Sequence, residues 1–333
     1  MTHTTASIPV DLKSPGQVLA CMGFLEAAEV LLGGVEAHFD WREAQATFVL
    51  RVDGEKNPFE VVLEFLAKAT ISERTPIGYV EGGAADSDDD GEDDAAPCEV
   101  EGDEDADDDD ADVVPGRVIA PAFPAGEGER NALPILLAAD GCRVAVSHWA
   151  EARKSPHPPW LSRDDFKLYS GNRSANRIAT QMLQGVRAKP KKKQSIGDLK
   201  NRGLQQLWQE QREALLKAPF DVVTPMGGSF NFDPRGAWTA IDVGYSPNTQ
   251  KDRVVASPVV EILAAIGLEH ARPDQYETRK VRYAVWGHPL LPMLGRAALA
   301  GADLMLPMRR FSFKLDLSGK NKVTTYAQEE TQL

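Results

Sequence analysis

The sequence predicts an α+β fold: an N-terminal βαββα-like sheet-and-helix unit followed by mixed strands and helices, interrupted by a disordered acidic insertion. Three observations carry this expectation. Apolar residues recur at helical spacing behind strong start signals, Ser14-Pro15, Asn57-Pro58 and Ser257-Pro258. Short alternating runs lie between those helices. Positions 81–112 hold 18 Asp and Glu residues and no Lys or Arg.

In order, an apolar stretch at Ile8 to Leu12 leads to the helix QVLACMGFLEAAEVLLGG, with Ser14 as N-cap, Pro15 in the first turn and glycines 33 and 34 at its end. Two strand-like runs follow, Val35 to Trp41 and Ala46 to Val52. Asn57-Pro58 then opens a second helix with Phe59, Val62, Leu63, Phe65 and Leu66 available for a core. The acidic block at 81–112 cannot bury enough surface to offset its ordering entropy, so disorder is expected. It serves either as a solubilising loop or as an internal competitor that folds over a basic surface.

Beyond it, residues 113–152 contain further strand-like runs, expected to continue the N-terminal sheet. A helix-rich segment, Gly203 to Lys217, carries Leu204, Leu207, Trp208 and Leu215 on one face and ends at Ala218-Pro219. The C-terminal part starts with alternating runs at Ser229 to Phe232 and Trp238 to Val243. Next comes a helix over VVEILAAIGLEH that Gly267 is expected to close. A helix from Leu291 to Ala300 and a strand at Phe311 to Leu315 complete the order. Met293, Met305 and Met308 read as core filling. At ~150 residues per domain, the length is enough for about two domains. The organisation expected is 1–80, 81–112, 113–152, a basic helical region 153–220, and a C-terminal region 221–333.

Charge separates these segments. The whole chain carries a formal charge of −13. Without the acidic block, 37 basic residues face 32 acidic ones, a body of plus 5. Between Arg153 and Arg202 stand 13 basic residues against Asp164, Asp165 and Asp198. Lys and Arg neutralise phosphates and release counterions, so this cluster points to nucleic acid. The candidate contacts are Arg153, Lys154, Lys167, Asn172, Arg173, Arg177, Arg187, Lys189, Lys191, Lys192 and Lys193. Arg173 and Arg177 are four apart and share a face if helical; with Asn172 they are the first candidates for base edges, and the lysines for phosphate. Trp149, Trp160, Phe166 and Tyr169 interleave with the cluster. A smaller basic group holds Arg279, Lys280, Arg282, Arg309 and Arg310.

Signatures of chemistry are scarce. The sequence has no phosphate loop, dinucleotide fingerprint, HExxH, CxxC or GxSxG, and its six histidines are scattered. Asp164, Asp165 and Lys167 are the nearest set for a metal-dependent nuclease, although the acids also suit local pairing or a helix cap. The expectation is a non-enzyme with no cofactor. Three well-separated cysteines, no run of about 18 apolar residues and no leader-like start suit a reducing cytoplasm and no membrane partner.

Four phrases add a resemblance: IPVDLKSPGQVLACMGFLEAAEVLLGG, GSFNFDPRGAWTAIDVGYSPN, SPVVEILAAIGLEHARP and YAVWGHPLLPMLGRAALAG. Together and in this order they resemble the large-subunit group of the type I-U CRISPR effector (Cascade) complex. The resemblance implies a non-catalytic subunit of an RNA-guided surveillance complex. Such a subunit helps recognise the target-flanking motif and binds target double-stranded DNA, with crRNA and other effector subunits as further partners and a recruited helicase-nuclease to cut. The acidic insertion departs from the family pattern. Two alternatives stay open: an assembly subunit that meets crRNA and other subunits without touching target DNA, and a nuclease.

Overall fold

The computed structural model describes residues 2–73, 135–145, 168–169, 175–188, 197–226, 228–236, 255–318 and 321–330. The N-terminal unit has the predicted order: β1 (His3–Pro9), α1 (Pro15–Leu32), β2 (Glu36–Asp40), β3 (Thr47–Asp53) and α2 (Pro58–Lys68). β3 lies between β1 and β2, antiparallel to both, with Leu50 opposite Ala6 on one side and Ala37 on the other. Ser14 and Asn57 hold extended backbone at the two N-caps, and Asn57 Oδ1 accepts the Phe59 N–H at 3.0 Å. Gly33 (φ +75°) and Gly34 (φ +62°) end α1 in left-handed conformations that a side chain would strain.

α1 is apolar on every side and, from Pro15 to Ala28, buried without interruption. By length and composition it could cross a membrane, but 78% of it lies inside the fold. A helix with this pattern needs partners all round. Its main partner is α6 (Pro258–His270), which packs against it at a crossing of glycines. A Cβ on Gly23 would strike the Leu263 carbonyl, and one on Gly267 would strike the carbonyl of Leu19. Gly267 therefore does not close its helix; α6 continues to His270 because the glycine admits the neighbouring backbone.

The strands of 113–152 that are described do not extend the first sheet. β4 (Thr70–Glu73), β5 (Ile135–Ala139) and β6 (Cys142–Ala145) pair antiparallel with one another in a separate three-stranded sheet. Asp140 (φ +49°) and Gly141 (φ +80°) make the two-residue turn between β5 and β6. The acidic insertion at 81–112 lies outside the described residues.

Downstream come α3 (Ala175–Gln184), β7 (Val186–Arg187), β8 (Leu199–Asn201), α4 (Leu204–Glu210) and α5 (Arg212–Lys217). The helix-rich segment expected over 203–217 consists of two helices that meet at Gln211, whose backbone leaves the helical region. The turn lets Leu215 enter the core while Arg212 pairs with Glu60 of α2 and stacks over Trp208.

The C-terminal part holds β9 (Thr224–Pro225), β10 (Val255–Ala256), α6, β11 (Asp274–Glu277), β12 (Lys280–Trp286), α7 (Pro292–Leu299), β13 (Met308–Ser318), β14 (Asn321–Thr324) and β15 (Gln328–Glu329). Its sheet runs β11-β12-β13-β14, and β15 adds to the β14 side of β13. Ser229 to Phe232, expected as a strand, is instead a corner. Asn231 takes the left-handed region (φ +66°), so Phe230 and Phe232 both turn inward. Its side-chain amide donates to the Leu168 and Lys322 carbonyls. Trp238 to Val243 lies outside the described residues. Met293 and Met305 are 71% and 89% exposed, so neither fills the core, while Met308 packs partly against it.

One hydrophobic core runs from Ile8 to Ala327 and joins the two ends of the chain. Tyr283 donates its hydroxyl to the Leu12 carbonyl at 2.6 Å, and Trp286 donates Nε1–H to the Ala37 carbonyl at 2.8 Å. The segments 1–80 and 221–333 thus share one interior.

Candidate nucleic-acid interface

Two of the candidate contacts in the predicted basic stretch are described. Arg177 stands on the exposed face of α3, opposite the buried Ile178, Ala179, Met182 and Leu183. Arg187, exposed on β7, donates Nη1–H to the Gly197 carbonyl at 3.3 Å. Arg153, Lys154, Lys167, Asn172, Arg173, Lys189, Lys191, Lys192 and Lys193 lie outside the described residues, as do Asp164 and Asp165. Tyr169, one of the interleaved aromatics, is buried against Phe230 at 5.8 Å between ring centroids.

The smaller basic group forms the clearest charged surface. Arg279 takes a left-handed turn conformation (φ +60°) ahead of β12. From there the register with β13 sets Lys280 opposite Lys314, Arg282 opposite Ser312 and Ala284 opposite Arg310. Strand alternation places these six residues on one face, with Val281, Tyr283, Phe311 and Phe313 on the buried face. Near Trp286 the first face is packed under α7 and β2. Toward Lys280 it opens, and there Lys280, Arg310 and Lys314 are exposed and Arg282 half-buried.

Like charges directly opposite across two strands are unfavourable, with Cβ atoms ~5 Å apart. Lys280 and Lys314 occupy such a pair. Acids relieve it in part: Glu277 is 2.6 Å from Lys280, and Asp316 is 3.7 Å from Lys314. Arg282 pairs with Glu330 at 2.7 Å and Asp274 at 3.7 Å, and its guanidinium lies 4.4 Å over the exposed Tyr276 ring. Among the described residues, the Arg310 side chain makes no ion pair or hydrogen bond. The face thus carries four basic side chains, three of them accompanied by acids, beside an exposed tyrosine, and basic and aromatic groups of this kind are suited to phosphate contacts and base stacking.

Arg309 projects to the opposite face. It pairs with Glu329 through two hydrogen bonds of 2.6 Å and lines an open cleft of about 230 Å³ with Lys13, Gln45 and Phe311. Bonding to Arg309 holds the Glu329 carboxyl below its ordinary range, with a smaller contribution from Lys13.

A buried polar cluster shapes the core beside these surfaces. Glu261 of α6 accepts the N–H groups of Phe230 at 2.8 Å and Asp233 at 2.7 Å. Asp233 accepts from Arg235 Nε and Nη2 and from the Ser257 N–H. Burial pushes the Glu261 carboxyl up to about 7 against those hydrogen bonds, and the Asp233 charge pushes the same way. These carboxylates are spent on backbone and arginine donors, so the cluster positions the 229–236 corner. Among the described residues no three His, Cys, Asp or Glu side chains gather as a metal site.

Sequence reasoning ranked Arg279, Lys280 and Arg282 second and missed Lys314. The alternation Phe311-Ser312-Phe313-Lys314 contained the signal, since it sets Lys314 opposite the buried phenylalanines' face. Lys13, Glu329 and Glu330 had no local pattern to mark them. No family model matches the chain, and no curated protein or solved structure matches it.

Proposed function

We propose that this chain is a non-catalytic, nucleic-acid-binding subunit of a type I CRISPR surveillance complex, working in the cytoplasm. It helps recognise the target-flanking motif and hold target DNA, with crRNA and neighbouring effector subunits as further partners. Cutting falls to a separate helicase-nuclease. The observation that carries the binding part is the open face bearing Lys280, Arg282, Arg310 and Lys314, which keeps two lysines opposed across the strands.

The CRISPR part rests on the resemblance of the four phrases, whose described parts pack together. Gly16 of the first phrase fits only because a Cβ would strike the Phe232 carbonyl of the second. Glu261 of the third caps Phe230 and Asp233 of the second, and Arg296 of the fourth makes two 2.7 Å bonds to Glu26 of the first.

The test is a titration of the full-length chain against a fluorescein-labelled 30-base-pair duplex at several salt concentrations. Four phosphate contacts predict a log–log salt slope of about −3 to −4. Arg310→Glu with Lys314→Glu, and separately Arg173→Glu with Arg177→Glu, should each weaken binding while the effector complex still assembles. Normal binding by both variants defeats the DNA-contact reading, and loss of assembly favours the assembly-subunit alternative.

A further inference from the structure

The C-terminal strand β15 does more than extend a sheet edge. Its register places Glu329 opposite Phe311, and the Glu330 N–H donates to the Arg310 carbonyl at 2.8 Å. Strand alternation therefore turns the two carboxylates to opposite faces of β13. Each meets an arginine there: Glu329 grips Arg309 through two 2.6 Å bonds, and Glu330 bonds Arg282 Nε at 2.7 Å.

We propose that Arg282 and Arg309 are phosphate-binding sites, and that Glu329 and Glu330 are internal stand-ins that a polyanion's phosphates displace. A carboxylate and a phosphate offer the same paired oxygen acceptors to an arginine fork. The surroundings favour the exchange. Lys13 lines the cleft beside Arg309, with Asp11 across it, and Arg310 stands exposed on Arg282's face beside Lys280 and Lys314, which Glu277 and Asp316 accompany, so an incoming phosphodiester finds basic side chains on both sides of β13.

The hold on β15 is also slight. All four ion-pairing side chains are between 27% and 39% exposed, so solvent and its ions reach both pairs. The strand itself is two residues long, and its flanks are tied by the Ala327 N–H to the Lys13 carbonyl and the Glu330 N–H to the Arg310 carbonyl. Its release frees Arg309, leaves Arg282 with the 3.7 Å contact to Asp274, and uncovers an edge of β13. This inference deepens the nucleic-acid reading and rests on it for the identity of the polyanion.

The experiment follows hydrogen exchange of residues 326–330 in the full chain, with a 30-nucleotide DNA strand as one probe and sodium triphosphate as the other. Faster exchange on adding either probe is expected. In parallel, Glu329→Gln with Glu330→Gln should tighten binding of the strand about threefold to tenfold. A control, Glu55→Gln with Glu213→Gln, makes the same charge change on exposed residues elsewhere and should tighten it less. If the strand binds but exchange stays constant, or the control tightens binding equally, the inference is overturned and the nucleic-acid reading survives. If no oligonucleotide binds and triphosphate still accelerates exchange, the nucleic-acid reading fails and the displaceable phosphate site stands.

Discussion

The carboxylate of Glu261 accepts the backbone N–H of Asp233 at 2.7 Å and so ties α6 to the corner at 229–236. Because Glu261 is fully buried beside a second carboxylate, its pKa rises to about 7 from an ordinary 4.5. Between those values the folded chain binds more protons than the unfolded one, so this group's contribution to stability falls as pH rises from about 4.5 to 7 and is level above that. Urea unfolding at pH 6 and pH 8 should show lower stability at pH 8. Glu261→Gln should lessen that difference and lower stability at both pH values, because one N–H loses its acceptor. An unchanged pH dependence in the variant would exclude Glu261 as its source.

The glycine crossing of α1 and α6 predicts a reversal of helix propensity. Alanine normally improves on glycine inside a helix by about 1 kcal/mol. At Gly23 and Gly267 the added methyl meets a neighbouring carbonyl, so Gly23→Ala and Gly267→Ala should each destabilise by about 1–3 kcal/mol. The midpoint of chemical unfolding reads this directly. Stabilisation by either change would mean that the helices are farther apart.

The opposed lysines predict a trade between stability and binding. Lys314→Thr removes the charge facing Lys280 and supplies a residue suited to a strand. The melting midpoint should stay level or rise by about 1–2 °C, while affinity for a DNA duplex falls and the salt slope shrinks by about 1. A variant that loses stability and keeps its affinity contradicts the assignment of that face.

Ion pairs should differ sharply with burial. Glu26 is 3% exposed and is held by two bonds from Arg296, so Arg296→Ala leaves the buried carboxylate with only His270 at 3.8 Å and should cost about 3 kcal/mol. Arg42, 85% exposed in its pair with Asp40, should be replaceable by alanine with no measurable loss. Paired denaturation curves for the two variants test the contrast.

Much of the fold is legible because its signals are local. Ser14-Pro15, Asn57-Pro58 and Ser257-Pro258 open helices at the predicted positions, and the βαββα order follows from apolar spacing alone. The misreadings share a cause in long-range packing. Gly267 resembles a terminator until Leu19 is brought against it, and Ser229 to Phe232 alternates like a strand until Asn231 is stitched to β14 and Leu168. The site divides in the same way. A run such as Lys280-Val281-Arg282 advertises its charge, but only the register with β13 reveals that Lys314 and Arg310 share its face. Glu329 and Glu330 are ordinary acids in sequence, and become notable by the arginines they reach.

The burial of α1 against α6 also has a consequence during synthesis. The helix leaves the ribosome with apolar residues on every side, while its partner follows about 240 residues later. At ~5–20 residues per second that interval is roughly 10–50 s, during which α2 and β3 can cover part of the nascent helix but the face that meets α6 stays open. The yield of the folded chain is therefore expected to respond to chaperone supply more than to changes at the sheet surface.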